Sequence, residues 1–318
     1  MRLKQFFLAT LLWLIALTTA STAQICNFTI ANVNFGNISI GPGGTPSTSS
    51  TFTASCSGSP NRTITICPNI GDGTGGSNSG SPRLLLNGAA TIPFDLIQSN
   101  GQVWGSYVWP YAARPPTLSL TLNNLGVGSL SQNMQAIISG TIASAPTGFY
   151  TSNYNAYHTL IDYGYAPSQN CTVVSARKTQ APFAVQANNV ATCNVSTTPL
   201  DFGTLSGLTT AQMATGQFGI TCTRGANYVI SLSNGMNGGT GPAARKMVSV
   251  GSPGSVITYG IFRDAAHVQP WGQTVGSDTV SGVGTGLQQN VSAYGYLPAQ
   301  GNPAPANYSD TIVVTVSY

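Results

Sequence analysis

The chain has 318 residues and a formal net charge of +4, yet only 6% of its residues are charged and all seven acidic residues are Asp. So sparse a charge leaves no electrostatic footprint for nucleic acid. The absence of Glu, with Gly, Ser, Thr, Asn, Val and Tyr in short alternating runs broken by Gly and Pro, excludes a helical protein and predicts an all-β sandwich chain. The length is that of two ordinary domains.

The first element is a leader. Arg2 and Lys4 precede an apolar run from Phe6 to Leu17 and then small residues, the form of a secretory signal peptide occupying residues 1–23 and cut after Ala23. Its removal takes the charge from +4 to +2. No later stretch approaches the length of a membrane-spanning helix. Export makes disulfides the default reading for the six cysteines.

The remainder is written twice. "CNFTIANVNFG" starts at Cys26 and "CNVSTTPLDFG" at Cys193, with Phe-Gly at the same offsets. "TFTASC" then ends at Cys56 and "QFGITC" at Cys222, and each is followed by a strand-like run, "RTITIC" and "NYVISL". Further on, "IPFDLIQSNGQVWG" matches "ITYGIFRDAAHVQPWG", and "SGTIASAPTGFY" matches "YGYLPAQGNPAPANY". Two copies of one β-domain follow, residues 24–180 and 181–318. Their equivalent positions pair Cys26 with Cys56 and Cys193 with Cys222, which leaves Cys67 for Cys171. Trp104 and Trp271 match between the copies and are expected in the cores.

The copies differ in two places. Between the matched Trp and the later Gly the first copy is longer by twelve residues, 36 (Trp104 to Gly140) against 24 (Trp271 to Gly295). The inserted "SYVWPYAARPP" is an aromatic, proline-stiffened loop whose Tyr107, Val108, Trp109, Pro110 and Tyr111 are candidate contact residues for an apolar surface or a sugar. "IGPGGTP" from Ile40 and "APTGFYTSNY" from Ala145 are weaker candidate loops. The second difference follows the last strand. After "YHTLIDYGY" the first copy continues into "APFAVQANNVATC", where Phe183, Val185 and Ala187 alternate with polar or small residues. Residues 181–191 could therefore close the first domain's open edge or serve as a linker. The second copy finishes on "TIVVTVSY", with Ile312, Val314, Val316 and Tyr318 on one face of a period-two pattern and no segment to cover the far edge.

Catalytic patterns are weak. "GDGTGG" (Gly71 to Gly76) fits G-x-G-x-x-G but precedes no helix pattern. His158 and His267 lie in different copies without metal or triad spacing, and Asp72, Asp95 and Asp162 show no spacing that makes a carboxylate pair. No enzyme, cofactor or metal is expected. The N-x-S/T triplets are frequent by composition alone.

The doubled "CNxxxxxxxFG", the run "ICPNIGDGTGGSNSGSPRLLLNGAATIPFDLIQSNGQVWGS" and the ending "YGYLPAQGNPAPANYSDTIVVTVSY" together resemble the spore coat protein U domain family, which builds subunits of archaic, Csu-type chaperone-usher pili. The resemblance implies two immunoglobulin-like β-sandwich domains in tandem, the C-terminal one lacking its final strand. It implies as partners a periplasmic chaperone, an outer-membrane usher and an adjacent subunit that donates a strand. The acceptor groove would involve Ile312, Val314 and Val316, with Tyr318 anchored by the chaperone. Only Gln24 and Ile25 precede Cys26 after the cleavage point, so a donor extension is not expected. The reading is then an exported, cell-surface tip adhesin whose first domain binds an abiotic or host surface. Alternatives are a spore-coat or internal fibre subunit, or a secreted carbohydrate-binding protein or enzyme.

Overall fold

The computed structural model describes residues 23–39, 45–78, 81–111, 113–139, 142, 144–169, 171–172, 178–249, 251 and 254–318. Residues 1–22, with the expected leader, and 40–44, with most of the "IGPGGTP" loop, lie outside them. Among the described residues the only helical element is one 3-10 turn, Ala156–His158; everything else regular is strand.

The first unit contains β1 (Ile25–Ile30), β2 (Val33–Ile38), β3 (Ser47–Ser57), β4 (Thr63–Ile70), β5 (Arg83–Asn87), β6 (Ala90–Ile97), β7 (Leu118–Thr121), β8 (Val127–Ile138), β9 (Gly148–Tyr154), β10 (Thr159–Tyr165), β11 (Lys178–Thr179) and β12 (Phe183–Asn189). One sheet has the order β1-β3-β8-β6-β5-β9-β12-β2, and the facing sheet the order β11-β10-β4-β7. Two residues, Ala31 and Asn32, separate β1 from β2, although these strands stand at opposite ends of the eight-strand order. The sheet must therefore roll until its ends meet. The alternation does its expected work here: Cys26, Phe28 and Ile30 of β1 point inward while Ile25, Asn27 and Thr29 face water.

The second unit contains β13 (Cys193–Thr197), β14 (Gln212–Cys222), β15 (Asn227–Leu232), β16 (Arg245–Val248), β17 (Val256–Phe262), β18 (Val280–Val283), β19 (Gln288–Leu297) and β20 (Val314–Ser317). Its sheets have the orders β13-β14-β19-β17-β16 and β18-β15-β20. Each unit has its own apolar core, built around Phe52, Phe94 and Trp104 in the first and Phe218, Ile230 and Trp271 in the second.

The repeat is visible in three dimensions. Cys26 lies directly across β1–β3 from Cys56, and Cys193 directly across β13–β14 from Cys222; both pairs are disulfides with Cα atoms 4.1 Å apart. Cys67 of β4 is bonded to Cys171 beyond β10, 5.3 Å away at Cα. A second matched pair carries no signal in the sequence. Arg83 and Arg245 are both fully buried at the start of β5 and β16. Arg83 donates to the carbonyls of Gly71 (2.8 Å), Ile70 (2.9 Å) and Trp104 (2.6 Å). Arg245 does the same with those of Ser233 (2.8 Å), Leu232 (3.4 Å) and Trp271 (2.7 Å), and also with that of Pro242. A guanidinium has five N–H groups in a fixed fork, so one such side chain can satisfy the orphan carbonyls at a strand end that water cannot reach.

Candidate functional site: a sheet edge left open

The two units part company at their last strands. In the first, β12 lies between β9, to which it runs antiparallel, and β2, to which it runs parallel. Its Phe183, Val185, Ala187 and Asn189 are all buried, and the Phe183 ring stacks on Tyr154 with centroids 4.3 Å apart. Upstream, β11 pairs with Ile161 and Asp162 of β10, and β12 pairs with β9 along its whole length. Residues 183–189 thus belong to the first sheet.

The second unit has no counterpart of β12 among its described residues. β20 pairs with β15 on one side only. The stretch before it forms one isolated bridge, Ser309 with Val248, and is tied down further by Val313, bonded to Ser233, and by Asp310, which accepts from the Tyr259 hydroxyl (2.8 Å). Leu-Asp-Phe-Gly-Thr-Leu at 200–205 repeats the Val-Asn-Phe-Gly-Asn-Ile of β2, yet it is no strand, because the strand that β2 pairs with is missing here. Between these two borders the apolar residues Leu200, Phe202, Ile312, Val314 and Val316 pack only partly against the core. Leu200 and Phe202 lie over Gly295, where a Cβ would come within 2.5 Å of the Leu200 side chain. Ile312, Val314 and Val316 are therefore brought together on one half-buried face, as their spacing predicts, whereas Tyr318 is 60% exposed beyond the end of β20.

The aromatic loop of the first unit is a packed structure. Buried Ser106 accepts from the amides of Val108 (2.8 Å) and Trp109 (3.2 Å), and Asn69 accepts from that of Tyr107 (2.8 Å). Val108 and Pro110 are exposed, Tyr107 is half-buried over Arg114, and Trp109 is half-buried against Gly71, His158 and Tyr157. Tyr111 is a correction to the expected contact set. It is 6% exposed, its ring lies 4.5 Å under the Arg83 guanidinium, and burial pushes its hydroxyl up to about 12. Tyr157, 75% exposed beside Trp109, extends the aromatic surface and carried no signal in the sequence. The candidate loop "APTGFYTSNY" is also corrected: Gly148–Tyr154 is β9, with Tyr150, Ser152 and Tyr154 turned into the core. Trp104 and Trp271 are core residues.

The acidic residues are dispersed. Asp95 takes Ser81 (2.6 Å) and Arg83 (3.5 Å), buried Asp162 takes Asn69 (3.0 Å), and Asp72 faces His158 (3.3 Å). Among the described residues no cluster of three or more His, Cys or acidic side chains could hold a metal.

Comparison with known proteins places this geometry. A family model described as Spore Coat Protein U domain matches residues 12–156 and again 179–315. "Protein U" of Myxococcus xanthus is 30% identical over 129 residues, covering 37% of this chain and 71% of that protein. Among solved structures, the CsuC-CsuE chaperone-tip adhesion subunit pre-assembly complex of Acinetobacter baumannii matches 92% of this chain and 100% of its own with a TM-score of 0.53 at 15% identity. The CupB6 tip adhesin of Pseudomonas aeruginosa covers 92% and 93% at a TM-score of 0.39 and 11% identity. The fold is that of a chaperone-usher tip adhesin, two immunoglobulin-like units in tandem.

Proposed function

The chain belongs to the Spore Coat Protein U domain family, and on that premise we propose that it is a non-enzymatic tip subunit of a chaperone-usher fibre. Its second unit accepts a strand from an adjacent subunit and its first unit contacts a surface. The observation that carries this reading is the unequal treatment of one edge: the first unit fills it with β12, and the second leaves it bordered by half-buried apolar side chains. Main-chain groups along such an edge give affinity to an added strand, and alternate side chains give it specificity.

Polarity supports the tip position. A strand laid on β20 as β11 and β12 lie on β10 and β9 runs antiparallel to it, with its N-terminal end at Tyr318 and its C-terminal end beside Ser309. Tyr318 borders the first unit, sharing a cleft with Gly148 and Val190. The body of the donor then follows from the opposite end, which leaves the first unit free. Before assembly, a periplasmic chaperone covers the open edge, which would otherwise recruit other chains, and an outer-membrane usher passes the subunit to the cell surface. The A. baumannii structure similar in fold is itself a chaperone-tip adhesion subunit pre-assembly complex. Surface contact is assigned to Tyr107, Val108, Trp109 and Pro110 with neighbouring Tyr157.

The test has two arms. Expression of the exported chain with a donor-strand peptide gives soluble monomer whose melting temperature rises with peptide concentration, and Val314→Asp with Val316→Asp abolishes the effect. A protein that is monomeric, stable and indifferent to peptide overturns the strand-accepting reading. In the second arm, Trp109→Ala with Tyr157→Ala lowers surface attachment while fibres still assemble; unchanged attachment removes this loop from the contact surface.

A further inference from the structure

The open edge does not stop in solvent. Beyond Ser317 it runs into a cleft of about 570 Å³ between the two units, bordered by Gly148, Asn189, Val190, Asn227 and Tyr318 among others. Asn189 is 1% exposed. Its Nδ2 donates to the carbonyls of Ala145 (2.9 Å) and Pro146 (3.1 Å), which fixes the orientation of the amide. Its Oδ1 has no donor. A buried acceptor left without a donor is costly, and Asn189 is among the residues that line the cleft.

The repeat fixes what passes there. Arg83 and Arg245 bond to the carbonyls of Ile70 and Leu232, so these two residues are equivalent. Thr159 pairs with Ile70 and Val314 with Leu232. Counting on three positions, Asp162 corresponds to Ser317. Lys178 pairs with Asp162, and thus marks the residue of an incoming strand that would face Ser317. Whatever precedes that residue must pass Tyr318 and enter the cleft. Three residues of extended chain cover about 10 Å, enough to reach the first unit.

We propose that the cleft receives the leading residues of the incoming strand, so that a single partner segment binds both units and fixes the angle between them. This rests on the strand-accepting reading. The partner is an extended segment of another chain whose alternating apolar stretch is preceded by about three residues able to donate a hydrogen bond to Asn189 Oδ1. Direct bonds already joining the units there are Thr147 N–H to Arg224 O (3.1 Å) and Arg224 Nη1 to Ser144 O (3.3 Å), both beside the same opening.

The experiment uses the whole exported chain and two N-acetylated peptides copied from its own closing strand, one spanning residues 178–189 and one 174–189. Calorimetry gives their affinities, and amide hydrogen exchange shows where each protects. The expected result is about ten-fold tighter binding by the longer peptide, the equivalent of one added buried hydrogen bond. New protection appears at residues 147–150 and 187–190 of the first unit with the longer peptide only. Equal affinities with protection confined to β20 and its neighbours overturn the inference and leave the strand-accepting reading standing. Binding by neither peptide overturns both.

Discussion

Replacing Phe183 by Ala tests how far the first unit depends on the strand that closes it. The ring is 5% exposed and stacked on Tyr154 at an interplanar angle of 13°. Truncating a buried Phe costs about 3–5 kcal/mol, including the cavity it leaves, and the lost aromatic pair falls within that range. The backbone pairing of β12 to β9 and β2 survives, so about 4 kcal/mol is the expected loss. For a unit of this size the urea dependence is about 2 kcal/mol per molar, which moves the unfolding midpoint down by about 2 M. Trp104, fully buried beside Phe52 at 6.0 Å, reports the transition once Trp109 and Trp271 are replaced by Phe. A shift under about 0.5 M with native spectra would refute the reasoning, because the first unit would then not depend on a filled slot.

Arg245→Met leaves the carbonyls of Ser233, Leu232 and Trp271 without their donor and lowers the stability of the second unit by about 3–5 kcal/mol, measured by the same unfolding at Trp271. Tyr111 titrates at about 12 in the folded chain and at about 10 when unfolded. The unfolded state therefore holds fewer protons between those values, and the stabilisation, fully present below pH 10, is lost as pH rises from 10 through 12. Tyr111→Phe flattens that limb of the pH-stability curve, and an unchanged slope would remove Tyr111 from the buried set. Replacing Cys193 and Cys222 together by Ser opens a loop of 29 residues and costs the second unit about 3–4 kcal/mol in the chain-entropy account. Chemical unfolding in non-reducing buffer checks it.

What the sequence revealed was whatever repeats or alternates. Matched Cys positions led to Cys26–Cys56 and Cys193–Cys222 because equivalent residues of duplicated strands face equivalent neighbours. The period of two placed Ile312, Val314 and Val316 on one face. Arg83 and Arg245 stayed hidden because burial of a charged side chain is decided by carbonyls from separate segments, 70–71 and 104 for Arg83, and nothing local announces it. Tyr111 is hidden for a related reason: an aromatic residue in a loop is equally consistent with exposure and with packing, and the Arg83 guanidinium over its ring tips the balance. The stretch from Gly148 reads as a loop because Pro146 and Gly148 punctuate its start, while Tyr150, Ser152 and Tyr154 alternate as a strand does.

The rolled first sheet also sets an order of events. β2 at residues 33–38 finds its neighbour only at residues 185–189, about 150 positions later. Synthesis runs from the N-terminus, so nearly the whole first unit exists before its last stave can be fitted, and such long-range closure is slow. Until then the nascent chain carries, for a time, the kind of open edge that β20 presents among the described residues of its second half.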